Sequence, residues 1–174
     1  LNKIIKPTIE YMSETGNEFS GILYAGLVLN NGEPKLIEYN VRFGDPECQA
    51  LCVRLGAQIF DIYFSGAKNE LSSLSINEAC DSAITVIVAE KGYPKNPRSD
   101  CELNDIVNIK YNKALEIFHA GTYFKNNLLC NTGGRIFSFT VRSKNLKDAR
   151  TIVYKALTKI ENENIFYRTD IGTY

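Results

Sequence analysis

Apolar residues recur at three- and four-residue steps where the chain begins, at Leu1, Ile4, Ile5, Ile9 and Met12, and this period predicts an amphipathic helix. Polar and glycine punctuation over 13–17 ends it, and the apolar run over 21–29 predicts a largely buried strand. Asn30, Asn31 and Gly32 mark a turn. A second strand over 35–43 follows so closely that the two predict an antiparallel hairpin. Side chains alternate along a strand, so Leu36, Glu38, Asn40 and Arg42 share one face. Asp45, Pro46 and Glu47 then carry helix-start chemistry: Asp45 can cap, Pro46 suits the first helical position, and Glu47 favours the positive end of the dipole. Leu51, Leu55, Ile59 and Ile62 predict one helix running to about residue 64, closed by Ser65 and Gly66.

A β-branched run over 82–90 predicts a buried strand, and Gly92, Pro94, Asn96 and Pro97 enforce a turn-rich excursion after it. Two more strands are predicted near 114–120 and 135–142, the second preceded by Thr132-Gly133-Gly134. Leu146, Ala149, Ile152, Val153, Ala156 and Ile160 form the apolar stripe of a last helix over 146–160. The segment 65–81 is the weakest joint, separating a hairpin-plus-helix unit from the later strands. The pattern is that of an α+β protein.

Composition narrows the reading. The 174 residues are 44% hydrophobic and 23% charged, enough to bury a real core. Twenty basic residues balance twenty acidic ones, so no global field recruits nucleic acid or an anionic membrane surface. No apolar run approaches the ~18 residues of a membrane span, and no leader pattern is present. The aromatics lie without basic clusters and read as core and interface rather than stacking platforms. Cys48, Cys52, Cys80, Cys101 and Cys130 are odd in number and lack zinc-site or disulfide-framework spacing, so free thiols in a reducing cytoplasm are expected. Cys48 and Cys52 are four apart on a predicted helix and share a face, which permits metal binding, although ordinary packing is the simpler reading. A chain opening with Leu1 inside a helical pattern is expected to be a piece of something longer.

The densest polar cluster runs from Glu38 to Glu47. A carboxylate and an amide two residues apart suit a hard cation such as Mg²⁺, which takes few protein oxygens and shares its other positions with water and phosphate. Arg42 could complement phosphate bidentately. The alternative is an edge strand with its polar face in solvent. Gly133 and Gly134 turn the chain or, with Arg135, offer backbone N–H groups and a cation to a phosphate; a structural salt bridge is the rival role for Arg135.

The segment Glu38-Tyr39-Asn40-Val41-Arg42-Phe43-Gly44-Asp45-Pro46-Glu47 closely resembles the signature of phosphoribosylamine-glycine ligases. The resemblance extends to Tyr24-Ala25-Gly26-Leu27, Lys91-Gly92-Tyr93-Pro94, Phe118-His119-Ala120-Gly121-Thr122, Thr132-Gly133-Gly134-Arg135 and Tyr167-Arg168-Thr169-Asp170-Ile171-Gly172, in the family's order across nearly the whole chain. It implies an ATP-grasp ligase of purine biosynthesis, in which ATP phosphorylates glycine and the amine of phosphoribosylamine attacks the glycyl phosphate. Glu38 and Asn40 match the family's metal positions, for Mg²⁺ or Mn²⁺, and Arg42 would stabilise the transferred phosphoryl group.

Asp45 is open between helix capping and contact with a substrate amine, and His119 between a structural hydrogen bond and a substrate role. Gly133, Gly134 and Arg135 complete the candidate substrate contacts, while Arg168 and Asp170 are expected to clamp the tail. The resemblance implies that residues 1–70 are the last piece of an ATP-grasp domain and 80–174 a small C-terminal domain. The adenine pocket, ATP-contacting lysines and lid would lie upstream, so this chain alone should be inactive and should expose sheet edge and apolar surface. Another ATP-grasp carboxylate-amine ligase and a non-catalytic assembly module are the rival readings.

Overall fold

The computed structural model describes residues 1–77, 80–103, 106, 109 and 114–173. They divide into two compact units, one of residues 1–45 with 57–77, the other of 46–56 with 78–174. The predicted joint over 65–81 includes residues 78–79, which lie outside the described residues.

In the first unit, helix α1 (Ile5–Glu14) precedes strands β1 (Tyr24–Asn30) and β2 (Glu33–Asn40), which pair antiparallel from Tyr24 opposite Asn40 to Asn30 opposite Glu33. Asn31 and Gly32 form the two-residue loop, both at positive φ (51° and 80°), the backbone a tight hairpin turn needs. Thr8 and Tyr39 tie α1 to β2 through a hydroxyl contact of 2.6 Å.

The hairpin departs from expectation in burial. Val28 is 48% and Leu29 73% exposed on β1, and Ile37 is 68% exposed on β2, so this apolar strand is not a buried one. β2 ends at Asn40, so strand alternation does not carry on to Arg42.

The single helix expected over 45–64 is two. Helix α2 (Glu47–Leu55) stops at Gly56, whose φ of 54° breaks the helical path, and α3 (Gln58–Ala67) starts after it and runs through Gly66. Pro46, not Asp45, occupies the N-cap position of α2, without a side-chain cap bond. α3 belongs to the first unit, where Tyr63 meets Phe43 edge-on with ring centroids 5.9 Å apart. α2 belongs to the second.

That second unit is built on a four-stranded antiparallel sheet in the order β4 (Leu115–His119), β7 (Arg135–Ser143), β3 (Ser82–Glu90), β8 (Ile165–Tyr167). Two further strands, β5 (Thr122–Lys125) and β6 (Leu128–Asn131), form a separate hairpin. Period-two alternation gives the sheet two different faces. Ile84, Val86, Val88, Phe137, Phe139 and Val141 point into the core, where helix α4 (Leu146–Leu157) adds Ala149, Val153, Ala156 and Leu157. Burying a Val or Leu fully is worth about 1.5–3 kcal/mol, so this stripe is what holds α4 in place.

Thr85, Ser138 and Thr140 point the other way, and α2 covers them, with Gln49 Nε2 donating to Ser138 Oγ at 3.3 Å and an Arg142 N–H to the Val53 carbonyl at 3.1 Å. The result is helix on both faces of an antiparallel sheet, an α+β arrangement. α4 starts with Asn145 accepting the Asp148 N–H at 2.8 Å. The tail is clamped by Arg150, which donates to the Thr169 and Ile171 carbonyls, and by Tyr154 OH on the Arg168 carbonyl, while Arg168 pairs with Asp170 at 2.5 Å. Among the described residues no helix is long and apolar enough to cross a membrane.

Candidate functional site

In the first unit, β2 brings Glu38 and Asn40 to one face, and the Asn40 amide nitrogen donates to Glu38 Oε1 at 3.1 Å. Two side chains two residues apart meet because the strand period is two. Both polar ends converge on one point, and turning the amide over would present its oxygen beside the carboxylate. One carboxylate and one amide oxygen suit a hard dication that keeps its other positions for water and phosphate. Arg42 lies just past the strand, exposed, with a guanidinium N–H on the Phe43 carbonyl at 2.8 Å. Gly44 behind it is buried and Asp45 exposed.

In the second unit, the predicted residues His119, Gly133, Gly134 and Arg135 meet at one end of the sheet. β4 ends at His119 where β7 begins, with His119 opposite Phe137, and the Ala120 and Gly121 N–H groups donate to the carbonyls of Ile136 and Arg135. His119 Nδ1 lies 2.8 Å from Thr122 Oγ1, and its ring stands edge-on to Phe137. Tyr93 rests on the backbone at Gly134, so closely that a Cβ there would overlap its ring. Gly133, by contrast, has open space where a side chain would be.

Two buried polar residues that carry no sequence signal hold this end together. Asn131 accepts the Cys101 N–H at 2.8 Å and donates to the carbonyls of Arg98 (2.7 Å) and Gly133 (3.0 Å). Glu90, fully buried at the end of β3, accepts the N–H groups of Gly92 (2.7 Å) and Arg98 (3.0 Å) and the Arg98 guanidinium (3.0 Å). Burial pushes its carboxyl up, but those three donors and the Arg98 charge outweigh burial and hold it below the ordinary glutamate range. The excursion over 91–98 is thereby fixed at both ends, and Tyr93 with it.

Comparison with known proteins decides the family. A family model described as "Phosphoribosylglycinamide synthetase, C domain" matches residues 83–174, more than half of the chain, and the family's ATP-grasp (A) domain matches residues 1–48. The chain belongs to the phosphoribosylglycinamide synthetase family. A phosphoribosylamine-glycine ligase of Agrobacterium fabrum is 40% identical over 172 residues, 99% of this chain and 40% of its own length. A chloroplastic phosphoribosylamine-glycine ligase of Arabidopsis thaliana is 38% identical over 177 residues, 99% of this chain and 33% of its own length.

The crystal structure of phosphoribosylamine-glycine ligase from Thermotoga maritima superposes with a TM-score of 0.77 at 28% identity, covering 91% of this chain and 39% of that one. The chain thus spans about 40% of the length of the curated family members it matches. Glu38, Asn40, Arg42 and Asp45 fall within the stretch matched by the A domain, and His119, Gly133, Gly134 and Arg135 within that matched by the C domain.

Proposed function

We propose that this chain is the C-terminal part of a phosphoribosylamine-glycine ligase, which joins glycine to 5-phosphoribosylamine with ATP to give glycinamide ribonucleotide, ADP and phosphate. The observation that carries the reading is the Glu38–Asn40 contact on β2, in a stretch where the family's ATP-grasp domain matches. A glycine carboxylate oxygen attacks the terminal phosphorus of ATP and ADP leaves. The amine of phosphoribosylamine then attacks the carbonyl of glycyl phosphate, loses a proton, and phosphate leaves. Both nucleophiles are substrate atoms, so the protein's task is positioning and charge stabilisation.

Glu38 and Asn40 would hold Mg²⁺ or Mn²⁺, which supplies positive charge to the phosphate oxygens. Arg42, exposed beyond the strand end, would stabilise the transferred phosphoryl group, and Asp45 would take the substrate amine. At the end of the second sheet, Arg135 beside Gly133 and Gly134 would receive the ribose phosphate. With His119 Nδ1 committed to Thr122, Nε2 is the nitrogen with which that ring would meet substrate. The remaining ATP contacts would come from the part of the relatives that this chain does not cover, and the working compartment would be the cytoplasm.

The test follows ADP release by a full-length protein containing this chain, with and without glycine and phosphoribosylamine, beside Glu38→Gln. Release that requires both substrates and collapses in the variant is the expected result. Release indifferent to glycine would overturn the substrate assignment.

A further inference from the structure

On α2, Cys48 and Cys52 stand four residues apart, one helical turn, and their sulfurs lie 3.8 Å from each other. All five cysteines are thiols, and these two are both partly exposed. Two sulfurs bound at about 2.3 Å to a tetrahedral zinc-type ion are separated by about 3.8 Å, so the spacing found here is the bite of such a site. The helix that presents them is held against the sheet by Gln49 on Ser138 and by Arg142 on the Val53 carbonyl, and closed by the Gly56 N–H on the Cys52 carbonyl at 2.9 Å. Ion binding therefore requires little rearrangement, which favours affinity.

We infer that Cys48 and Cys52 form a two-thiolate chelate for a soft d¹⁰ dication such as zinc or cadmium. Binding replaces two S–H bonds by two metal–sulfur bonds and releases two protons. Among the described residues no group of three or more His, Cys, Asp or Glu gathers around a common point, so the ion's other positions go to water or an added ligand. The site differs in kind from Glu38 and Asn40: thiolates select soft ions, and carboxylate and amide oxygens select hard ones. Magnesium in excess leaves it untouched. The inference is independent of the proposed ligase activity.

The test titrates cadmium into this chain, reduced and at neutral pH, and follows the ultraviolet thiolate-to-metal charge-transfer band with and without excess magnesium. One equivalent per chain is expected, unaffected by magnesium. Cys48→Ser and Cys52→Ser should each weaken uptake by more than about 100-fold, beyond what an outer-shell change commonly produces, with Cys80→Ser unchanged. Far-ultraviolet circular dichroism checks that each variant stays folded. Failure of the unmodified chain to take up cadmium overturns the inference, as does a Cys48→Ser/Cys52→Ser double variant that keeps the band.

Discussion

Gly26 and Glu38 stand opposite each other across the β1–β2 hairpin, so close that a Cβ on Gly26 would lie 3.1 Å from Cγ of Glu38. The register of the hairpin slips by one residue just after Gly26, a bulge of the kind that re-aims neighbouring side chains. Glycine at this position keeps the space in which the Glu38 carboxylate reaches Asn40.

Gly26→Val should crowd Glu38 without disfavouring the strand, because valine suits extended backbone. If Glu38 and Asn40 hold the dication of the proposed reaction, the half-saturating Mg²⁺ concentration of a full-length protein containing this chain is expected to rise by about 10- to 100-fold, the range seen when groups supporting a metal ligand are altered. The thermal midpoint should hardly move. An unchanged Mg²⁺ dependence would show that Gly26 has no part in placing the carboxylate.

Glu38→Gln keeps the shape of the side chain and its contact with Asn40 while removing the charge. If the carboxylate offsets the charge of a phosphate-bound dication, kcat/KM should fall by at least about 100-fold, or about 2.7 kcal/mol of transition-state stabilisation. Steady-state rates across a Mg²⁺ series read this directly. A fall below about threefold would favour an edge strand with its polar face in solvent.

Gly134→Ala places a methyl group where the Tyr93 ring now lies. Overpacking of this kind costs about 1–3 kcal/mol, and urea unfolding should show it. Removing the ring in Tyr93→Ala/Gly134→Ala should recover much of that loss, giving a coupling energy of about 0.5–3 kcal/mol in a double-mutant cycle. Strictly additive effects would mean that the two positions do not press on each other.

Much of this arrangement was legible in the sequence because its signals are local. Asn31-Gly32 sets the hairpin, the alternation of β2 puts Glu38 and Asn40 on one face, and the stripe from Leu146 to Ala156 marks α4. The β5–β6 hairpin escaped notice because its strands are four residues each, although Asn126 and Asn127, at φ of 51° and 65°, are the turn signal that could have found it. β8 is three residues long and exists only because the end of β3 offers it a partner. The break at Gly56 was hidden by apolar periodicity that continues through it. Asn131 and Glu90 were out of reach for another reason. Asn131 serves backbone groups of Arg98 and Cys101 about 30 residues away, and no spacing rule connects them.

Glu90 gives the fold a defined acid dependence. Its carboxyl titrates below the value of about 4.3 expected in an unfolded chain, so between the two values the unfolded state binds more protons and stability rises with pH. The ion's contribution is complete above about pH 4.3 and is lost as pH falls through the lower, folded value. Glu90→Gln keeps the volume but cannot accept from Arg98 as an ion. It should therefore be less stable than the unmodified chain at about pH 7, and the gap should narrow on acidification toward about pH 3. Urea midpoints at the two pH values measure this. A gap of constant size would place the role of Glu90 in shape alone, whereas a closing gap would show that its charge holds Gly92 and Arg98, and through them Tyr93, beside Gly134.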